Sequence, residues 1–101
     1  MVTFGLNYDV KTAHVGEFET YALKVIASMQ GMPGHTETRL YKDVAKPNSL
    51  MIYSAWETPE AFRAFMQSDA FKSAQLATRD ILEGPPKHSM YQPASMGPKR
   101  P

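Results

Sequence analysis

The chain has 101 residues, 43% hydrophobic and 21% charged, which fits one small globular domain with one modest core. Eleven basic and ten acidic residues leave a net charge of +1 with no basic stripe, which argues against nucleic acid or an anionic membrane surface as a partner. The lack of cysteine excludes disulfides, thiolate zinc sites, iron–sulfur clusters and cysteine nucleophiles, and is compatible with the cytoplasm. No apolar run approaches the roughly 20 residues of a membrane helix, and Met1–Val10 lacks the pattern of a signal peptide.

Val2–Val10 alternates, with Val2, Phe4, Leu6, Tyr8 and Val10 on one face and Thr3, Gly5, Asn7 and Asp9 on the other. Period two over this length predicts a half-buried strand. After the short connection Lys11–His14, in which Thr12 is the expected cap, the period changes. Val15, Phe18, Ala22, Val25, Ile26 and Met29 form one helical stripe that runs to Gln30, with Glu17 and Glu19 near the positive end. Gly31 and Pro33–Gly34 stop it. His35–Lys42 and Leu50–Glu57 predict two further strands joined by the hairpin-type segment Asp43–Ser49.

Thr58–Pro59–Glu60 is a helix start, and Phe62, Phe65 and Met66 form the first apolar stripe behind it. Ser68–Asp69 is a second capping signal, so the helix is expected to break or bend there. Phe71, Ala74, Ala77, Thr78, Ile81 and Leu82 continue with helical spacing until Gly84–Pro85–Pro86. Lys87–Gln92 is a short last strand that closes a domain over residues 1–92, and Pro93–Pro101 is an expected flexible tail.

The order predicts an α+β, ferredoxin-like β-α-β-β-α-β fold: one antiparallel sheet with both helices on one face. The other face, with Tyr41, Met51, Tyr53 and Met90 as candidates, is a large apolar patch if left bare. A homodimer through that open sheet face is its simplest cover.

The ordered set Pro33–Gly34–His35, Arg39–Leu40–Tyr41, Tyr53–Ser54–Ala55–Trp56–Glu57, Glu60–Ala61–Phe62 and Ser68–Asp69–Ala70–Phe71 resembles the antibiotic biosynthesis monooxygenase family over residues 1–92. The resemblance implies a dimeric α/β barrel. It also implies one of three uses: oxidation of polycyclic phenols or quinols by O2 without metal or flavin, oxidative haem degradation, or a role without assigned chemistry. In the haem-degrading branch the second-helix segment carries a Trp, then Ser-Asp-x-Phe-Lys, then an iron-ligating His. Here Ser68, Asp69, Phe71 and Lys72 match, Phe65 replaces the Trp and Gln75 replaces the His. Asn7 matches a first-strand Asn of the haem set. An amide is a poor haem-iron ligand, and His14, His35 and His88 lie elsewhere in the sequence.

The resemblance therefore implies a cofactor-independent monooxygenase-like protein with a small hydrophobic or aromatic ligand. Asn7 and Gln75 would be its polar anchors, and Trp56, Phe65 and Phe71 its apolar walls. The alternatives are a haem protein with a non-standard ligand and a non-catalytic ligand-binding dimer. Each site residue also has a plainer reading. Asn7 can bond across a dimer, and a one-residue change of register exchanges its face. Trp56, Phe65 and Phe71 can be core, Gln75 can face water, and Arg79 can pair with Asp69 or Glu83. Tyr8, Tyr41, Tyr53, His35 and His88 are further donors or bases for a phenolic substrate. Neither metal-ligand spacing nor a phosphate loop is present.

Overall fold

A computed structural model describes residues 1–93; the remainder of the expected tail, 94–101, lies outside the described residues. Four strands, β1 (Val2–Asp9), β2 (His35–Lys42), β3 (Ser49–Trp56) and β4 (Lys87–Tyr91), form one sheet in the order β2-β3-β1-β4. Every neighbouring pair is antiparallel. Three helices, α1 (Val15–Met29), α2 (Pro59–Met66) and α3 (Asp69–Thr78), complete the ferredoxin-like α+β fold. Within one chain the sheet is open, with β2 and β4 as edges, so the barrel implied by the resemblance is not a property of the single chain.

The alternation of the first strand becomes the main division of the molecule. Val2, Phe4, Leu6, Tyr8 and Val10 are all buried, and they join Phe18, Val25 and Met29 of α1, Phe62 and Phe65 of α2 and Phe71 of α3 in one core. Directly paired residues project to the same side of a sheet. Asn7 therefore shares the opposite side with its partners Met51 and Lys87, and Gly5 with Tyr53 and Ser89. Met90 corrects the expectation for that open face. It pairs with Phe4 and so lies on the helix side, while Tyr91, opposite Thr3, takes the open side.

Local signals explain most element boundaries. Thr58 accepts a hydrogen bond from the Ala61 amide at 3.2 Å, with Pro59 as the first helical residue. Ser68 acts twice: its Oγ accepts from the Phe71 amide at 3.2 Å and donates to the Phe65 carbonyl at 2.7 Å. The expected break is thus a helix end and a helix start sharing one serine. Thr12 is not a cap, because Thr12–His14 forms a 3-10 turn that leads into α1 without a side-chain cap. Leu82 is extended, not helical. It bridges Val10, and the Glu83 amide donates to the Asp9 carbonyl at 2.7 Å, so pairing with the end of β1 wins over helical spacing.

Gly34 is the one position with a positive φ, +84°, among the described residues. A side chain there would bring its Cβ to 2.7 Å from the Ala61 Cβ. Its carbonyl accepts from the Glu57 amide at 2.7 Å, which ties the start of β2 to the entry of α2.

Candidate functional site

The layer between helices and sheet has two parts. Around Trp56 it is closed. Trp56 and Phe65 are fully buried, with ring centroids 5.7 Å apart. Phe62 stacks on Phe4 at 3.5 Å, and Phe65 meets Phe71 at 5.0 Å. The indole N–H of Trp56 donates to Ser54 Oγ at 3.0 Å, so the polar atom of this cluster is satisfied inside it. His35 packs edge-on against Trp56 and hydrogen-bonds Thr38. Its pKa is lowered by burial, against an upward push from a backbone hydrogen bond at Glu37.

Between β1, β4, α1 and α3 the layer is less complete. A cleft of about 30 Å³, room for about one water, is lined by Tyr8, Phe18, Val25, Phe71, Ala74, Gln75, Pro86 and His88. Tyr8 as a whole is only 8% exposed, but its hydroxyl reaches solvent at the cleft, since no buried side-chain N or O lacks a hydrogen-bond partner among the described residues. Burial raises its pKa to about 12, so it stays a neutral donor. The His88 ring lies 6.3 Å from the Tyr8 ring in an edge-on arrangement. Burial lowers its pKa, which favours the neutral, proton-accepting imidazole. Gln75 brings an amide to the same cleft from an otherwise exposed position on α3.

The structure thus divides the residues that the sequence singled out. Phe71 and Gln75 line the cleft. Trp56 and Phe65 stand behind Phe71 as packed core. Asn7 is half-buried on the other side of the sheet, beside a hollow of about 230 Å³ that Tyr41, Ser49 and Met51 also border. His88, distant from α3 in sequence, faces the same cleft as Gln75 because β4 pairs with β1. Sequence reasoning treated Tyr8 as one of three interchangeable tyrosines. Its position on the apolar face of the alternating strand is the signal that separates it from Tyr41 and Tyr53.

Two wider grooves flank this region. One, about 330 Å³, runs between α1 and α3 and is lined by Tyr21, Lys24, Val25, Ala70, Ser73, Ala74 and Ala77. It shares Val25 and Ala74 with the cleft. The other, about 350 Å³, lies between α2 and β4 around Phe62, Met66 and Met90. No group of three or more potential metal-ligating side chains occurs among the described residues. No helix among them is long and apolar enough to cross a membrane.

A helix-covered, split β-α-β-β-α-β sheet with an aromatic inner layer defines the class as a ferredoxin-like α+β domain. The chain belongs to the antibiotic biosynthesis monooxygenase family, whose model matches residues 1–77. Over 86 residues it is 34% identical to a Natronomonas pharaonis protein named "Putative heme-binding protein" and 33% identical to a Halobacterium salinarum protein so named. The match takes in 85% of this chain but only 14% and 18% of those two proteins, so the chain spans less than a fifth of their length. Among solved structures, it superposes on a conserved protein of Methanosarcina mazei with a TM-score of 0.86 at 19% identity, covering 90% of each chain. It also superposes on SnoaB, a cofactor-independent oxygenase from Streptomyces nogalater, with a TM-score of 0.82 at 24% identity, covering 97% of each chain. At these identities the superpositions show a shared fold.

Proposed function

We propose that the protein is a monooxygenase-like dimer that oxidises an aromatic phenol or quinol-type small molecule with O2, the substrate itself supplying the electrons. The observation that carries this reading is the otherwise apolar cleft between helices and sheet onto which the Tyr8, Gln75 and His88 side chains converge. A planar apolar ligand with one or two ring oxygens is the chemical complement of such a lining. Family membership supports the reaction class. For a phenol the balance is phenol plus O2 to quinone plus water: one oxygen atom enters the ring, the other leaves as water, and the ring supplies all four electrons. Phe71, backed by Phe65 and Trp56, would be the apolar wall, and Gln75 the anchor for a ring oxygen.

A ring system needs more room than the cleft has. Entry therefore requires α1 and α3 to part at Val25 and Ala74, the residues common to the cleft and the outer groove. The side chains of α3 along this seam, Ala70, Ser73, Ala74 and Ala77, are small and line the outer groove. A haem ligated from α3 does not fit. Position 75 offers an amide where an imidazole is needed.

The dimer would form through the open sheet face, where Tyr41 and Tyr53 meet edge-on at 6.5 Å beside Met51. Asn7 and its hollow would then belong to the dimer interface. Tyr53→Lys should move the sedimentation coefficient from dimer to monomer; an unchanged coefficient rejects this interface.

Oxygen consumption with a panel of polycyclic phenols and quinols tests the activity. The expected result is one O2 consumed per ring oxidised. No uptake across the panel, with aromatic ligands still bound, leaves a non-catalytic binding dimer in its place.

A further inference from the structure

We propose that the outer groove between α1 and α3 binds a small apolar monocarboxylate, with the Lys24 ammonium as the partner of the carboxylate. The site is separate from the inner cleft and does not depend on the oxidation chemistry proposed above. Its two walls follow from helical spacing. Tyr21, Lys24 and Val25 stand on one face of α1, and Ala70, Ser73, Ala74 and Ala77 on one face of α3, at steps of one, three and four residues. The α3 wall offers three methyl groups and one hydroxymethyl group, and a space of about 330 Å³ stands open beside it.

Lys24 sets the charge of the ligand. It is the one charged residue of the lining. Lys42 and Lys46 are ion-paired, with Glu19 and Asp9, whereas Lys24 takes part in no ion pair among the described residues. The acids of α1 are engaged elsewhere, Glu17 with His14 at 3.0 Å and Glu19 with Lys42 at 2.9 Å. The Lys24 ammonium instead lies 5.6 Å from the centroid of the Tyr21 ring, a cation–π distance that holds it at the groove wall. On the facing helix the Ser73 hydroxyl makes no hydrogen bond back to a helix carbonyl among the described residues, unlike those of Thr20, Ser28 and Thr78. One ammonium and one free hydroxyl match the two oxygens of a carboxylate. A phosphate, with three oxygens and a charge near −2, asks for more donors than this rim has.

The space sets the size. A groove of about 330 Å³ is at the lower end of the range for small-molecule sites. At about 30 Å³ for each water-sized group, it holds about eleven non-hydrogen atoms of ligand. The rest of the lining is apolar apart from the Tyr21 hydroxyl, so the body of the ligand is hydrocarbon: a medium-chain fatty acid or an arylalkanoate of the same bulk.

Decanoate, kept below its micelle concentration, is the probe, and decanol its uncharged counterpart. Amide shifts of the intact protein, followed by two-dimensional NMR, should change saturably at Tyr21, Lys24, Ser73 and Ala77, with a Kd of about 1 mM or tighter. Decanol should bind at the same residues at least threefold more weakly. Lys24→Met, which keeps the apolar stem, should abolish that preference, and Ala77→Leu, which fills the groove from an exposed position, should weaken both ligands. The proposal is overturned by an absence of saturable shifts, by shifts centred on the Met66–Met90 groove or on Tyr8 and His88, or by decanol binding as tightly as decanoate. A preference that survives Lys24→Met also overturns it. So do shifts of the same amides that depend on protein concentration without ligand, which would give the groove to a second copy of the chain.

Discussion

The two ends of the helix–sheet layer use the same kinds of residues to opposite effect. Around Trp56 five aromatic rings, from Phe4 through Phe62, Trp56 and Phe65 to Phe71, contact one another in series, and the indole N–H is satisfied internally by Ser54. Around Tyr8 the packing stops short, and the Tyr8, His88 and Gln75 side chains line a space for about one water. The first arrangement is what a core requires: close packing and no polar atom left over. The second leaves a hydroxyl open to solvent at the cleft, where water or a ligand can bond it. The difference teaches that in this domain the aromatic stripe of the second helical segment serves mainly to hold α2 and α3 on the sheet. On the proposed function, recognition would fall to the polar groups at the opposite end.

Substitutions should expose that contrast. Phe65→Ala, at the fully buried centre of the closed end, should lose about 3–5 kcal/mol, read from the midpoint of urea unfolding. Tyr8→Phe removes a hydroxyl without a protein partner and should stay within about 1 kcal/mol of the parent. A loss at Tyr8 as large as that at Phe65 would mean that the two ends are alike and that Tyr8 is simply core. Gly34→Ala forces an L side chain into a φ of +84° and against Ala61, and should cost about 1–3 kcal/mol by thermal unfolding. No loss there would show that the entry of α2 can shift freely relative to β2.

The smallest expected effect is that of pH. Burial holds the folded-state pKa of His35 and of His88 below 6.5. The unfolded chain therefore binds more protons as pH falls through 6.5, so stability is full above that value and declines below it. His35→Gln and His88→Gln should each flatten part of that decline in unfolding experiments at a series of pH values. A decline unchanged in both variants would place the responsible groups elsewhere.

Most of the architecture was legible because it depends on local periodicity. The alternation of Val2–Val10, the stripe from Val15 to Met29 and the caps at Thr58 and Ser68 each specify an element from neighbouring residues alone. Where local and long-range preferences conflicted, the local reading failed. Leu82 has helical spacing but pairs with Val10, and Met90 belongs to the helix side because β4 takes its register from Phe4. The site was legible only in fragments. Phe71 and Gln75 could be picked out from α3, and Tyr8 and His88 could be named as possible donors or bases, but they are 80 residues apart in a 101-residue chain.

By itself, then, the sequence determined the order of elements, the buried face of the first strand and the break at Ser68, since each follows from steric and hydrogen-bonding preferences within a few residues. Only the tertiary structure decided that Asn7 and Gln75 lie on opposite sides of the sheet and that Tyr8, Gln75 and His88 share one cleft. Strand register and helix docking set those relations, and they depend on how the whole core closes rather than on any single segment.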